Sequence, residues 1–321
     1  MDFEYSDRTK ALIEQLQSFM EAHVLPANRR FHELAEQGVY PLDVVEPLKS
    51  KAFQQGLWNL FMPDLEPEDP GTRLTNLEYA PLAEIMGRVP WSPEVFNCNA
   101  PDTGNMEILK RFATPEQKER WLEPLMMGQI RSVVGLTEPD TASSDLTNLT
   151  TTIRRDGDEY VINGRKWFST GAKHPNASLA IVFGVSDASE DADPHHKHSF
   201  ILVPMDTPGV TVKPITDLTG AHEFNEVFFD AVRLPAHALL GEEGAGWKQA
   251  TAELSLERSG PERYLSSMVL FLELVRHAET AQDPALAELV GRLAAEAWTL
   301  RLMSASVAAK LARGEDPALE A

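Results

Sequence analysis

Two segments near the middle of the chain combine hydroxyls, aromatic rings and small residues. Residues 135–145 read GLTEPDTASSD after a short apolar run, which predicts a loop leaving a strand whose backbone amides approach an anionic or heteroaromatic ligand. Residues 163–171 read NGRKWFSTG and present two rings beside two hydroxyls. Such a surface suits a flat polar ring such as an isoalloxazine. The spacing alone, however, favours a purely structural role, in which Trp167 and Phe168 are core aromatics and Thr137 is a turn residue.

Helices are predicted on the N-terminal side of these segments. Apolar residues recur at the spacing of one helix face from Leu12 to Val24, which predicts an amphipathic helix that Pro26 ends. Residues 114–117 (TPEQ) combine a capping hydroxyl, a proline at the first helical position and a glutamine three residues after the cap. These signals predict an N-terminal helical domain over residues 1–131.

Short runs rich in β-branched residues begin near residue 132. Asn163-Gly164 lies between two of them and predicts a hairpin turn. Because no helical pattern separates the runs, we expect an antiparallel β-barrel over residues 132–238 rather than a parallel dinucleotide-binding sheet. The predicted strands cover residues 132–136, 150–153, 160–162, 167–169, 179–185, 199–203, 210–215 and 226–229.

The helical period returns after Pro235 and predicts a partial C-terminal helical bundle over residues 239–321. The fold class is therefore α+β and multidomain. Two or three helices bury their apolar faces poorly without partners, so we expect that another subunit covers them or that the chain is truncated.

The composition excludes several classes of function. The 321 residues include 49 Asp and Glu against 29 Lys and Arg, a net charge of −20, which disfavours nucleic acid and anionic lipid surfaces. Cys98 is the single cysteine, so neither a disulfide framework nor a cysteine-rich zinc site is expected. We find no signal peptide and no run of about 18 apolar residues, and we expect a soluble cytoplasmic protein with no membrane span. Residues 195–198 (HHKH) are interpreted as a charged loop, with no metal site.

Four segments resemble motifs of the acyl-CoA dehydrogenase family. The T-E-P loop and the N-G-x-K hairpin described above are two of its signatures. Residues 225–235 (NEVFFDAVRLP) with 240–247 (LGEEGAGW) are similar to a third, and residues 112–122 resemble the helix before the family's β domain. The motifs stand in the family's order, and the resemblance covers about residues 5–320.

The resemblance implies an FAD enzyme that introduces an α,β double bond into an acyl-CoA thioester. It places Thr137 against the flavin ring, and Ser143 and Ser144 near the flavin or CoA phosphates. Phe168 takes the position of the family's tryptophan against the ring, and Thr170 that of the hydroxyl near flavin N5. This chain departs from the family in having no glycine at 140–145, where the family commonly has G-x-G-S-D.

The family's base is a glutamate, either on a late helix or in an L-x-x-E-R segment. Residues 254–258 read LSLER, so the resemblance makes Glu257 the candidate base and directs Arg258 toward the CoA end of the pocket. A kink at Pro261 is expected to help aim Glu257. The alternatives are that the two residues form a solvated helical pair or that the base lies on a late helix absent from this chain.

The resemblance also implies partners. Electron-transfer flavoprotein is the expected electron acceptor, and a homo- or hetero-oligomer is expected. The family's R-x-x-F-G run is absent at 277–284 (HAETAQDP), as in members that pair unlike chains. The alternatives left open are a flavin monooxygenase or oxidase on the same scaffold and a non-catalytic partner subunit. Arg165, Lys166 and Lys173 are candidate contacts for the CoA phosphates, or ordinary surface cations.

Overall fold

The computed structural model describes residues 4–187, 189, 191–218, 223–257 and 268–315, with the backbone alone for 253–257. Its N-terminal part is helical, as predicted. The helices, in order, are α1 (Asp7–Phe19), α2 (Leu25–Ala35), α3 (Leu42–Gln54), α4 (Asn76–Met86), a 3₁₀ turn (Ser92–Phe96), α5 (Asp102–Phe112), α6 (Pro115–Gln117) and α7 (Glu123–Met126).

Pro26 does not end the first helix, so that prediction is wrong. A π-helical turn (Met20–Val24) joins α1 to α2, and the N–H of Leu25 donates to the carbonyl of Met20, five residues earlier. A proline has no N–H, and its ring collides with the carbonyl one α-turn back. The wider π turn gives that ring room, and the helix continues to Ala35.

The predicted helix start at Thr114 is confirmed. The Thr114 hydroxyl accepts from the N–H of Gln117 at 3.3 Å, and Gln117 Oε1 accepts from the N–H of Thr114 at 3.0 Å. Gln117 Nε2 also donates to the carbonyls of His237 and Leu239, at 2.8 and 2.9 Å. The cap therefore fixes α6 to the chain at the end of the sheet.

The predicted antiparallel barrel is wrong, because the sheet is mixed and open. Its order is β6-β7-β3-β2-β4-β5-β8, with β1 pairing β4. β1 runs parallel to β4, across a connection long enough for a parallel crossover, and one bridge between β2 and β4 is also parallel. In the described part of the chain the end strands β6 and β8 do not pair with each other, whereas a barrel requires closure. The strands are β1 (Arg131–Gly135), β2 (Thr152–Asp156), β3 (Glu159–Lys166), β4 (Ala177–Val185), β5 (His198–Pro204), β6 (Val210–Ile215), β7 (Phe224–Pro235) and β8 (Leu239–Leu240).

Asn163-Gly164 is a bulge inside β3 and not the predicted turn. The hairpin turn lies earlier, between β2 and β3, where Gly157 has a φ of 64°. At the bulge Asn163 Oδ1 accepts from the N–H of Ala231 at 2.9 Å. A Cβ at Gly164 would lie 2.4 Å from the hydroxyl oxygen of Thr151, so the glycine permits a close approach of neighbouring strands.

Three helices follow the sheet in the described residues: α8 (Gly246–Glu257), α9 (Met268–Ala281) and α10 (Pro284–Ala312). None of the helices among the described residues has the length and apolar character needed to cross a membrane.

The chain divides into two compact units. One comprises Met1–Arg30, Asp43–Cys98 and Ser255–Ala321, and the other comprises Phe31–Leu42 and Asn99–Leu254. The three domain boundaries proposed from the sequence stay a prediction.

A buried ion pair joins the loop after β1 to the end of β3. Glu138 is 5% exposed and Lys166 has no exposed surface. Lys166 Nζ donates to Glu138 Oε1 at 2.8 Å and to the carbonyl of Leu136 at 2.9 Å. Glu138 also accepts from the N–H groups of Thr150 and Thr151 at 2.8 and 2.9 Å, and from the Thr150 hydroxyl at 2.7 Å. Both carboxylate oxygens are therefore satisfied by protein groups.

The environment of this pair shifts both pKa values. Burial opposes ionisation of Glu138, but the Lys166 ammonium and the hydrogen bonds from Lys166 and Thr151 outweigh it and lower the pKa of Glu138 to about 2. Burial lowers the pKa of Lys166 to about 8, although the Glu138 carboxylate opposes that shift. Both groups are therefore charged at neutral pH.

We expect Glu138→Gln to destabilise the sheet by about 3–5 kcal/mol, because it leaves the Lys166 ammonium buried without a counter-charge. The double variant Glu138→Gln/Lys166→Met should regain much of this loss, since no buried charge remains. Denaturant unfolding followed by circular dichroism measures the free energy of unfolding of the single and the double variant.

The folded-state pKa of Glu138 lies below its ordinary value of 4.5. The ionised Glu138 carboxylate therefore stabilises the folded protein fully above pH 4.5, and this stabilisation falls as the pH drops toward 2. The difference in the free energy of unfolding between the wild type and Glu138→Gln should therefore become smaller at acid pH. Equal stability of wild type and the single variant at neutral pH would contradict the assigned role of the pair.

Candidate functional site

The loop after β1 is closed on itself by Ser143. The Ser143 hydroxyl oxygen accepts from the N–H of Glu138 at 2.8 Å and lies 3.1 Å from the Glu138 carbonyl, to which it donates. Its distance to Thr141 Oγ1 is 3.2 Å. Ser144 is exposed, and Asp145 accepts from the N–H and hydroxyl of Thr147 at 3.0 and 2.7 Å. The Ser143 hydroxyl is therefore engaged in shaping the loop, while the Ser144 hydroxyl faces solvent.

The segment after β3 lies beside this loop. The N–H of Trp167 donates to the carbonyl of Thr137 at 2.8 Å. Phe168 has a φ of 52° and its side chain is 46% exposed, so it is not a core aromatic. Its ring lies against Trp167, with centroids 4.2 Å apart, and against the edge of Phe224 at 5.8 Å. A bulky residue in the left-handed region is a genuine outlier, and such residues cluster at functional sites.

Three further polar side chains lie on the two segments that meet at Phe168. Thr137, Trp167 and Thr170 are half-buried. Among the residues that the structure describes, neither threonine hydroxyl nor the Trp167 indole N–H bonds to another protein group. Half-buried donors without protein partners cost free energy unless a ligand or water satisfies them. This donor set beside an open aromatic face fits a flat heteroaromatic ring with polar edges.

The expected cationic contacts for CoA phosphates are only partly available. Lys166 is buried in its pair with Glu138, so the expectation that it faces a phosphate is wrong. Arg165 Nε donates to Glu226 Oε1 at 2.5 Å, and its guanidinium lies 5.4 Å from the centre of the Phe228 ring. Lys173 is exposed. Arg165 is thus already engaged on the surface of the sheet.

Glu257 is the last residue of α8, and its side chain lies outside the described set. Arg258 and Pro261 lie outside the described residues altogether, and the expected kink falls with them. The roles assigned to Glu257 and Arg258 from the sequence therefore stay predictions.

Two of the three histidines in residues 195–198 approach the same carboxylate. His195 Nδ1 and His196 Nδ1 lie 3.8 and 3.0 Å from Asp193, and the His195 ring contacts that of Trp247 at a tilt, with centroids 4.4 Å apart. His198, in contrast, is fully buried in β5 and stacked on Phe183. In the described part of the chain, no group of three or more His, Cys, Asp or Glu side chains could hold a metal ion.

Sequence reasoning missed the Glu138–Lys166 pair and the carboxamide of Asn225. Asn225 is fully buried, and its Nδ2 donates to the carbonyls of Ser169 and Glu223, both at 3.1 Å. Alternation along β3 could have placed Lys166 on the same inward face as Tyr160 and Ile162. The local sequence does not indicate the contact of Asn225 with Ser169, because the two residues are 56 positions apart in the chain.

Comparisons with known proteins agree with this architecture. Two family profiles match: Acyl-CoA dehydrogenase, N-terminal domain, over residues 6–129, and Acyl-CoA dehydrogenase, middle domain, over 133–232. Acyl-CoA dehydrogenase family member 11 of Mus musculus is 43% identical over 81% of this chain and 33% of its own length. FadE2 of Mycobacterium tuberculosis, assigned as an acyl-CoA dehydrogenase, is 46% identical over 79% of this chain and 62% of its own. The chain thus spans about a third and about three fifths of these two relatives.

Solved structures share the fold over nearly the whole chain. Butyryl-CoA dehydrogenase from Megasphaera elsdenii superposes with a TM-score of 0.80 at 24% identity, covering 98% of this chain and 82% of that one. A structure assigned as an acyl-CoA dehydrogenase from Mycobacterium abscessus has a TM-score of 0.85 and 39% identity, covering 96% of this chain and 81% of that one. With this identity over this coverage, and with the motifs in the places described, the chain belongs to the acyl-CoA dehydrogenase family.

Proposed function

We propose that the chain binds FAD against Phe168 and catalyses α,β-dehydrogenation of an acyl-CoA thioester to an enoyl-CoA. The observation that carries the proposal is the exposed ring of Phe168, whose backbone is left-handed. It lies on one of two adjoining segments whose Thr137 and Thr170 hydroxyls have no protein partner among the described residues. Family membership supports the same conclusion. PigA, which shares the fold with a TM-score of 0.83 at 20% identity, has been solved as an FAD complex.

In this proposal each loop supplies a different contact to the cofactor. Thr137 and Thr170 hydrogen-bond to polar edges of the flavin, and Phe168 packs on its face. Ser144 and the neighbouring backbone amides approach a phosphate of FAD or CoA, while Ser143 acts mainly through the loop that it closes. A hydroxyl performs here the turn-closing task for which the family's loop commonly uses glycine.

The chemistry requires a base, and we assign it to Glu257. Bound FAD supplies the acceptor, at N5, for the hydride that leaves the β-carbon. The Glu257 carboxylate takes the α-proton, so two C–H bonds break as the C=C bond forms. A carboxylate enclosed beside an apolar acyl chain becomes a stronger base, since removal from water raises its pKa. Arg258 is assigned to the CoA end of the substrate.

Partners follow from the same assignment. We propose electron-transfer flavoprotein as the protein that takes the electrons onward. Exposed apolar side chains on α9 and α10 support assembly with another chain: Leu270 is 75% exposed, Trp298 56% and Met303 53%. A relative with 27% identity and a TM-score of 0.81 is named as the Tcur3481-Tcur3483 steroid ACAD, which supports a pairing of unlike chains as one form of that assembly.

We expect Thr170→Val to weaken FAD binding about tenfold, because it removes one hydrogen bond to the flavin. The measurement is quenching of flavin fluorescence as FAD is titrated with apoprotein. Thr211→Val is the matched control, since Thr211 is an exposed strand residue on β6. Equal dissociation constants for the two variants, or a wild-type protein that binds no FAD, would count against the proposed cofactor site.

We expect Glu257→Gln to slow bleaching of the flavin absorbance by about 100-fold or more when saturated acyl-CoAs are mixed anaerobically with the FAD-loaded protein. The amide keeps the size of the side chain but takes no proton. Affinity for FAD should be unchanged. Glu279→Gln, an exposed site on α9, is the control. Bleaching of Glu257→Gln at the wild-type rate would refute the assignment of the base.

A further inference from the structure

The conformation of Phe168 lies next to a break in the sheet. The ladder between β3 and β7 ends at the pair Lys166 and Val227. The next residue, Trp167, gives its N–H to Thr137 and so leaves β7. Phe168 then turns into the left-handed region, which is unfavourable for a residue other than glycine. Something in the surrounding fold must hold the backbone there.

The start of β7 provides that hold. The N–H of Ser169 donates to the carbonyl of Asn225 at 2.8 Å, and Asn225 Nδ2 donates back to the carbonyl of Ser169 at 3.1 Å. The same carboxamide nitrogen donates to the carbonyl of Glu223 at 3.1 Å, which also accepts from the N–H of Gly171 at 3.0 Å. Residues 169–171 are therefore joined to 223–225 by three hydrogen bonds, one of them from the Asn225 side chain, which also bonds to Glu223 within its own segment.

The donor end of the Asn225 side chain is the part that these contacts use. Its Nδ2 makes both hydrogen bonds, whereas its Oδ1 is buried with no hydrogen-bond partner among the described residues. A buried acceptor without a partner costs free energy, so the carboxamide is not explained by simple satisfaction of polar groups. An aspartate at this position would offer only acceptors to the two carbonyls.

We infer that Asn225 is a positioning residue for the flavin site. Its carboxamide holds Ser169, and this keeps Phe168 in the left-handed conformation. One side of the Phe168 ring then packs against Phe224 while the ring stays partly exposed, and the Thr170 hydroxyl turns toward the cofactor. Asn225 itself is fully buried, so it is assigned to act through Ser169 and Phe168. The inference rests on the proposed function, because it concerns the same cofactor face.

The first test is FAD affinity in the full chain. We expect Asn225→Ala to raise the dissociation constant of FAD about tenfold and Asn225→Asp to raise it further, because the carboxylate also repels two carbonyls. Asn163→Asp is the matched control. It lies on β3 and retains an acceptor for the N–H of Ala231, so its affinity should equal that of the wild type.

The second test separates positioning of Phe168 from a general effect on the sheet. Glycine adopts positive φ without penalty. In a Phe168→Gly background the hydrogen bonds between Asn225 and Ser169 are therefore less needed to keep residue 168 in the left-handed conformation. We expect Asn225→Ala to weaken FAD binding less than threefold in that background. The same fold-change in both backgrounds would overturn the inference, and so would Asn225 variants that bind FAD as tightly as Asn163→Asp. A wild-type protein without FAD affinity would instead refute the proposed function, which keeps the two failures distinct.

Discussion

The buried pair of Glu138 and Lys166 is the constraint on which the candidate site depends. Thr137 precedes one member of the pair and Trp167 follows the other, so the ionic contact and the hydrogen bond from Trp167 to Thr137 hold the two loops together. A pair sealed from water is costly to form, and removal of one partner is costlier still. Loops held this way resist independent movement. Precise placement of two hydroxyls on separate segments requires such a link, because neither segment is regular secondary structure.

In the proposed site, Ser143 compensates for the absence of the glycines that the family commonly has in the loop after β1. Glycine lets backbone amides approach a phosphate because it carries no Cβ. Here the Ser143 hydroxyl bonds to both the N–H and the carbonyl of Glu138, and so tightens the turn with a side chain. The Ser144 hydroxyl stays outside. In a chain of net charge −20, this local supply of N–H and O–H donors matters more to an anion than the overall field.

Local signals in the sequence succeeded where their partners were also local. The cap at Thr114 needs residues only three positions away, and it forms as predicted. Asn163-Gly164 has the composition of a turn, but its register shift against β7 and the hydrogen bond from Ala231 make it a bulge within β3. Closure of the sheet was wrongly predicted for the same reason, since pairing of β1 with β4 depends on a long connection. Family motifs located the two loops, but the pairing of Lys166 with Glu138 joins residues 28 positions apart and required the fold.

The sequence named Phe168 as a flavin contact through the family resemblance, but its conformation and exposure were not predicted. Its residue type predicts burial, yet it is about half exposed and carries backbone strain. Contacts with β7 offset both the exposure and the strain. This strand begins 56 residues after Phe168 with Phe224, whose ring packs against that of Phe168. A strained, solvent-facing aromatic residue is a poor solution for stability alone. Its presence is understandable where a flat ligand covers the ring, because binding then removes the exposed apolar surface from water and satisfies the hydroxyls beside it.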